Sequence, residues 1–188
     1  MKMSDDQHSG AQNRSRTAVK DLVLTAMFSA LIAVCSIISI PVGQVPVTLQ
    51  TFAVSFAAAM LGWKRGTLSV LVYILLGAVG LPVFAGLKGG VGVLAGPTGG
   101  YIVGFILTAF VIGYIAEKSE RKALPLSAAM IAGVLLCYAV GTVWFMVVTH
   151  TGLAASLMLC VVPFLLFDAV KIAAAVLLSN RLTKIINI

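Results

Sequence analysis

The chain has 188 residues, 60% of them hydrophobic and 10% charged, with a mean hydropathy of +1.08. Soluble domains carry about 25% charged residues, and a chain this small has too little interior to hide so much apolar surface, so lipid is the solvent that suits it. The net charge of +7 does not point to nucleic acid, because the basic residues come as short groups between apolar runs, the pattern of cytoplasmic membrane loops.

Residues 1–20 are polar and read as a mobile cytoplasmic tail, leaving 21–188 as one membrane domain. The apolar run that follows is too long for the core of a secretory signal, and no small-residue cleavage site succeeds it. A spanning helix needs about 20 mostly apolar residues. The first runs over 21–40 and stops at Pro41. The second runs over 48–61 and ends at the sequence Gly62-Trp63-Lys64-Arg65-Gly66. The third covers 67–80, the fourth 101–116 and the fifth 126–148. The last apolar stretch, 153–182, is too long for one simple span, and Pro163 divides it, because proline lacks an N–H and clashes with the preceding turn. Residues 153–162 then form a short interfacial or re-entrant piece and 164–182 the sixth span, with one kinked helix as the alternative.

The expected fold is therefore all-α and integral to the membrane: a six-helix transmembrane bundle. Lysine and arginine set its orientation. With both termini cytoplasmic, eleven basic residues fall inside, Lys88 alone falls outside, and Lys171 lies within a span. The outer connection over 81–100, LPVFAGLKGGVGVLAGPTGG, is long, rich in Gly and Pro and nearly uncharged. A long loop of this kind is commonly functional, and this one reads as a lid or plug over the helix ends, with a plain connector as the alternative.

Asp168 and Lys171 are the two charged residues that stand inside a span away from its cytoplasmic end. Each costs about 2.5–3.5 kcal/mol if alone at mid-membrane. Three apart on one helix, they project from nearly the same face. Either they neutralise each other as an ion pair or they receive a polar ligand in a cavity. The aspartate can accept hydrogen bonds from a urea-like group, and the lysine can pair with a carboxylate. Thr48, Gln50 and Thr51 form a second polar cluster at the outer end of span two, which lines the same pocket or bonds a neighbouring helix.

Several other motifs carry less. Gly90 to Ala95 matches G-x-G-x-x-A but lacks the strand and soluble βαβ unit that a dinucleotide fingerprint needs. There is no P-loop. Cys35, Cys137 and Cys160 lie in apolar segments without metal spacing, and His8 and His150 have no ligand partners, so no metal site is expected. Small residues recur at four-residue spacing at Ala26 and Ala30 and at Gly100 and Gly104, where helices can approach closely.

The runs VPVTLQTFAV, LLGAVGLPVFAG with GG shortly after it, GPTGGYIVGF and PF-x-x-x-D-x-x-K together resemble the BioY family of biotin transporters, the substrate-binding S components of energy-coupling factor (ECF) transporters. The resemblance covers nearly all of the chain from about Val19. It implies a six-helix fold in the plasma membrane of a prokaryote that captures biotin at the outer face and does no chemistry. It implies a transmembrane coupling (T) subunit and two cytoplasmic ABC-type ATPases as partners, with ATP used only by them and no covalent cofactor. Ala26 and Ala30 match the small-residue motif by which S components meet the coupling subunit. Asp168 and Lys171 match the last-helix motif that faces biotin's polar ends, in roles that are interchangeable on the sequence. Gln50, Thr48, Phe84, Gly86, Gly89, Gly90 and Tyr101, within the other matched runs, are the further ligand-binding candidates. Two departures stand out: Leu166 and Phe167 replace a Pro-Gly pair before Asp168, and Leu87 follows Gly86 where many members carry a second glycine, with Lys88 adding a charge.

Three rival readings remain at this level. An S component for another small vitamin would use the same fold. A solitary ion-coupled carrier of a small organic anion would use the Asp168–Lys171 pair itself. An intramembrane enzyme lacks a visible nucleophile–base pair.

Overall fold

The computed structural model describes residues 2–41 and 44–186, with side chains over 18–41 and 44–185. It is helical throughout apart from one minimal hairpin. In chain order the elements are α1 (Lys2–Ile37), β1 (Ser39–Ile40), β2 (Val47–Thr48), α2 (Gln50–Ala78), α3 (Val91–Ala95), α4 (Gly99–Lys118), α5 (Ala123–Thr149), α6 (Leu153–Cys160) and α7 (Val162–Ile186). Among the described residues five helices are long and apolar enough to cross a membrane: α1 from Ala18, then α2, α4, α5 and α7. Most of the polar stretch 1–20, expected as a mobile tail, lies outside the residues whose side chains are described.

The expected second and third spans are one helical element, α2, broken at a single residue. Gly62 has φ 77° and ψ −178°, in the region that glycine alone enters without penalty. A Cβ there would also lie 1.9 Å from the Glu117 carboxylate. The two arms, 50–61 and 63–78, lie side by side. A Cβ on Gly66 would come within 2.8 Å of Ala58 Cα, and Gln50 Nε2 is 2.5 Å from Tyr73 Oη. On a straight helix residues 50 and 73 would stand about 35 Å apart. The charged run that reads as a loop is thus the start of the returning arm.

The reversal leaves the last carbonyls of the first arm without helical partners. Arg121 supplies them, donating from Nε to Ala59 O at 3.0 Å and from Nη2 to Met60 O at 3.1 Å. Glu120 and Arg121 both adopt left-handed backbone, φ 51° and 56°, in the turn that delivers the guanidinium.

The first arm of α2 is the centre of the bundle. Ala53, Val54, Ala57, Ala58 and Ala59 are fully buried, and their small side chains admit close neighbours on every side. The second arm carries α1, held by Ser29 Oγ donating to Ser69 O at 2.8 Å. Helix α4 packs between α2 and α5, and α7 closes the ring by packing on α2 and α5. Gly100 and Gly104 serve this internal contact: a Cβ at Gly100 would meet Trp144 Cβ at 2.2 Å, and one at Gly104 would meet Cys137 Sγ at 3.1 Å.

The remaining differences from expectation lie at one end of the ring. The first connection is a β-hairpin pairing Ser39 with Thr48 and Ile40 with Val47, too short to show a two-residue period. The long connection contains α3, and a local bridge ties Phe84 to Lys88. The expected division of 153–182 does hold: helix α6 is separate from α7, the break falling at Val161 (φ −126°, ψ −54°). Pro163 stands in the first turn of α7, where its missing N–H costs nothing. Because α7 opens at Val162, Asp168 and Lys171 lie about 3 Å, or roughly half a turn, deeper than a start at Phe164 would place them.

Candidate functional site

Helices α2, α4, α5 and α7 form a ring, and a cavity opens inside one end of it. Its lining brings together Gln50 and Thr51 from α2, Tyr101 and Phe105 from α4, Tyr138 from α5, and Phe164, Asp168 and Lys171 from α7. Gln44 and Thr48 from the hairpin and Phe84 and Lys88 from the long connection border it as well. It holds about 760 Å³ of unoccupied space, its open mouth included.

The polar centre is a closed network. Lys171 Nζ lies 2.7 Å from Asp168 Oδ1, with 10% of the lysine side chain and 3% of the aspartate side chain exposed. Thr51 Oγ1 donates to the same Oδ1 at 2.8 Å and accepts from Lys171 at 3.3 Å. The Tyr138 hydroxyl donates to Asp168 Oδ2. One helix turn separates Asp168 from Lys171, so α7 alone sets the pair; α2 and α5 each add a hydroxyl.

The arrangement has a defined chemical capacity. Three donors occupy part of the four lone-pair positions of the carboxylate, and two acceptors occupy two of the three ammonium protons. What is left is one acceptor beside one donor on a pair without net charge. That surface matches a neutral group that both donates and accepts, such as an amide or a urea.

The other expected residues divide. Thr48 and Gln50 line the cavity, but Gln50 is already engaged: its Nε2 donates to Tyr73 Oη at 2.5 Å and its Oε1 accepts from Thr48 at 3.0 Å. They form a braced wall. Tyr101 offers its ring, since its hydroxyl donates to Cys160 O and lies 3.3 Å from Thr142 Oγ1. Phe84, 1% exposed, is the anchor of the long connection; a Cβ on Gly77 would strike its ring, and it stands edge-on to Tyr73. Gly86, Gly89 and Gly90 shape that connection without being lining residues. Gly90 N donates to Gly77 O at 2.7 Å, and a Cβ on Gly89 would run into Leu81 O at 2.4 Å. Trp144 Nε1 donates to Gly96 O at 3.0 Å and tethers the far end of the same connection to α5.

Sequence reasoning missed Tyr138. The available signal was a tyrosine in the middle of an apolar stretch, away from the span ends where such residues usually sit. Ala26 and Ala30 lie outside the cavity lining, on an exposed face of α1 that also carries Leu22, Val23, Met27 and Val34.

Comparison with known proteins agrees with this architecture. The model of the BioY family matches residues 6–188. The biotin transporter BioY of Thermotoga maritima is 48% identical over 89% of this chain and 98% of its own. The probable biotin transporter BioY of Pyrococcus horikoshii is 42% identical over 87% of this chain and 96% of its own. The biotin transporter BioY of Rhodobacter capsulatus is 36% identical over 88% of this chain and 94% of its own. A crystal structure of the S component for biotin from an ECF-type ABC transporter superposes with a TM-score of 0.84 at 31% identity, covering 90% of this chain and 93% of that one. With the family model matching from near the first residue to the last, and relatives aligned over almost their whole length, the chain belongs to the BioY family.

Proposed function

We propose that the chain is the biotin-binding S component of an ECF-type uptake transporter. The observation that carries this reading is the buried Asp168–Lys171 ion pair, without net charge and flanked by Thr51 and Tyr138, inside a cavity that also presents aromatic and aliphatic walls. One N–H and the carbonyl of a ureido ring complement the acceptor and the donor left free there. The thiophane ring and aliphatic chain of biotin suit the apolar walls, in a site of the usual kind with few polar anchors. Asp168 accepts from the ureido N–H, and Lys171 completes the polar wall and donates to the carbonyl.

In this reading the chain crosses the plasma membrane of a prokaryotic cell six times, the two arms of α2 each making one crossing. The hairpin at Gly62 and the basic residues gathered at that end support both the count and the placement of the termini on the cytoplasmic side. The long connection then covers the outer mouth. Binding involves no chemistry in this chain. Inward delivery draws on ATP hydrolysed by two ABC-type ATPases and is relayed by a T subunit that docks on the α1 face carrying Ala26 and Ala30. The relatives' names as biotin transporters and the biotin S-component structure support the substrate.

Competition tests the substrate. Binding of labelled biotin to purified chain should persist in excess thiamine, riboflavin and niacin and vanish in excess unlabelled biotin. Displacement by another vitamin at equal concentration would overturn the assignment.

A further inference from the structure

We infer that Tyr73, which lies outside the cavity, is a positioning residue that fixes the direction of the Gln50 amide in the cavity wall. This rests on the biotin-binding reading above. Gln50 lines the cavity. A primary amide can turn over and exchange its donor for its acceptor, so a wall made of one has a defined polarity only if its neighbours hold it. Here the neighbours on both sides do so, and in the same sense. Thr48 Oγ1 accepts from the Gln50 backbone N–H at 3.3 Å and donates to Gln50 Oε1 at 3.0 Å, which sets the amide oxygen on the Thr48 side. Gln50 Nε2 donates to Tyr73 Oη at 2.5 Å, and the Tyr73 hydroxyl donates in turn to Ser36 Oγ at 3.4 Å. With its proton directed to Ser36, the Tyr73 oxygen meets Gln50 as an acceptor, and an inverted amide would set two oxygens against each other.

The relay is sealed from solvent. Tyr73 and Ser36 are both 0% exposed, and neither lines the cavity, so each hydroxyl depends on the other partners in the chain. It also crosses the fold: Thr48 belongs to the hairpin, Gln50 to the first arm of α2, Tyr73 to the second arm and Ser36 to α1. Two of the four hydrogen-bonding positions of the Gln50 amide are used in this way, which leaves one N–H and one lone pair for a ligand. The Tyr73 ring has a separate task, standing edge-on to Phe84 with 5.6 Å between ring centroids. Hydroxyl and ring are therefore separable. Tyr73→Phe cuts the relay and keeps the contact that anchors the long connection.

A residue that acts through another loses its effect once that other is gone, which a double-mutant cycle measures. The test is the biotin affinity of wild type, Tyr73→Phe, Gln50→Leu and the double variant, with the unfolding temperature of each ligand-free protein beside it. Tyr73→Phe should weaken biotin by about three- to tenfold, the worth of one buried hydrogen bond. Gln50→Leu should weaken it at least as much, and the double variant no more than Gln50→Leu alone. Ser36→Ala, which removes the far acceptor, should weaken biotin by a smaller factor in the Gln50 background and by none in Gln50→Leu; it carries the same cycle if Tyr73→Phe does not fold. A Tyr73→Phe protein that melts earlier but binds as wild type does would reduce Tyr73 to a purely structural role. Losses that multiply in the double variant would show that Tyr73 does not act through Gln50. Either result overturns the inference. Failure of wild type to bind biotin would instead sink the biotin-binding reading, and the role of Tyr73 with it.

Discussion

Lys171 Nζ and Asp168 Oδ1 are 2.7 Å apart, three residues along one helix and almost entirely out of solvent. Removing one partner of a buried pair strands the other charge and costs about 3–5 kcal/mol, whereas replacing both by uncharged groups is often neutral. Asp168→Asn alone should therefore lower the unfolding temperature in detergent sharply. Adding Lys171→Met should restore stability without restoring biotin binding. A double variant as unstable as the single one would make the pair a stabilising element first and a binding element second.

Tyr138 donates to the carboxylate oxygen that neither Thr51 nor Lys171 uses. Tyr138→Phe keeps the ring and removes one hydrogen bond to a charged group, worth about 1.5–3 kcal/mol. Biotin affinity should fall by about tenfold or more, and the purified protein should elute as wild type does on gel filtration. Unchanged affinity would show that the hydroxyl does not orient Asp168 in the bound state.

Gly62 reverses α2 with φ 77° and leaves no room for a methyl group beside Glu117. Gly62→Ala puts a side chain on backbone essentially reserved for glycine, at a cost of about 1–3 kcal/mol, and obliges the Glu117 carboxylate to move aside. The unfolding temperature should drop by several degrees, with partial recovery when Glu117→Ala is combined with it. No drop would mean that the arms of α2 join in some other way.

Ala26 and Ala30 are exposed on α1, a helix that contributes no residue to the cavity lining. Ala26→Leu with Ala30→Leu should leave biotin binding by the isolated chain intact and abolish co-purification with a T subunit. Assembly that survives both leucines would place the docking face elsewhere.

What the sequence disclosed follows physical lines. Apolar stretches of about 20 residues have one solvent that suits them, so the helices of the bundle were visible as such. Asp168 and Lys171 were visible because an ionisable group inside such a stretch is costly enough to need a reason. Gly62 and the basic residues after it were read as a loop, because charge interrupts hydropathy even where helical hydrogen bonding resumes within one residue. Tyr138 and the capping role of Arg121 were hidden for a different reason. The partner of Tyr138 is 30 residues away in sequence and the carbonyls bound by Arg121 are about 60 away, so only the packed fold brings them together. The division of labour at Gln50 was equally invisible, since its engagement by Tyr73 and Thr48 depends on the α2 hairpin and on the short β-strands before it.

The central claim is tested most directly by calorimetric titration of the purified, detergent-solubilised chain with biotin, beside the Asp168→Asn, Lys171→Ala double variant. The account predicts tight binding near one-to-one for wild type and none for a folded double variant. A well-folded wild type that binds no biotin, or a double variant that binds it as tightly, would contradict it.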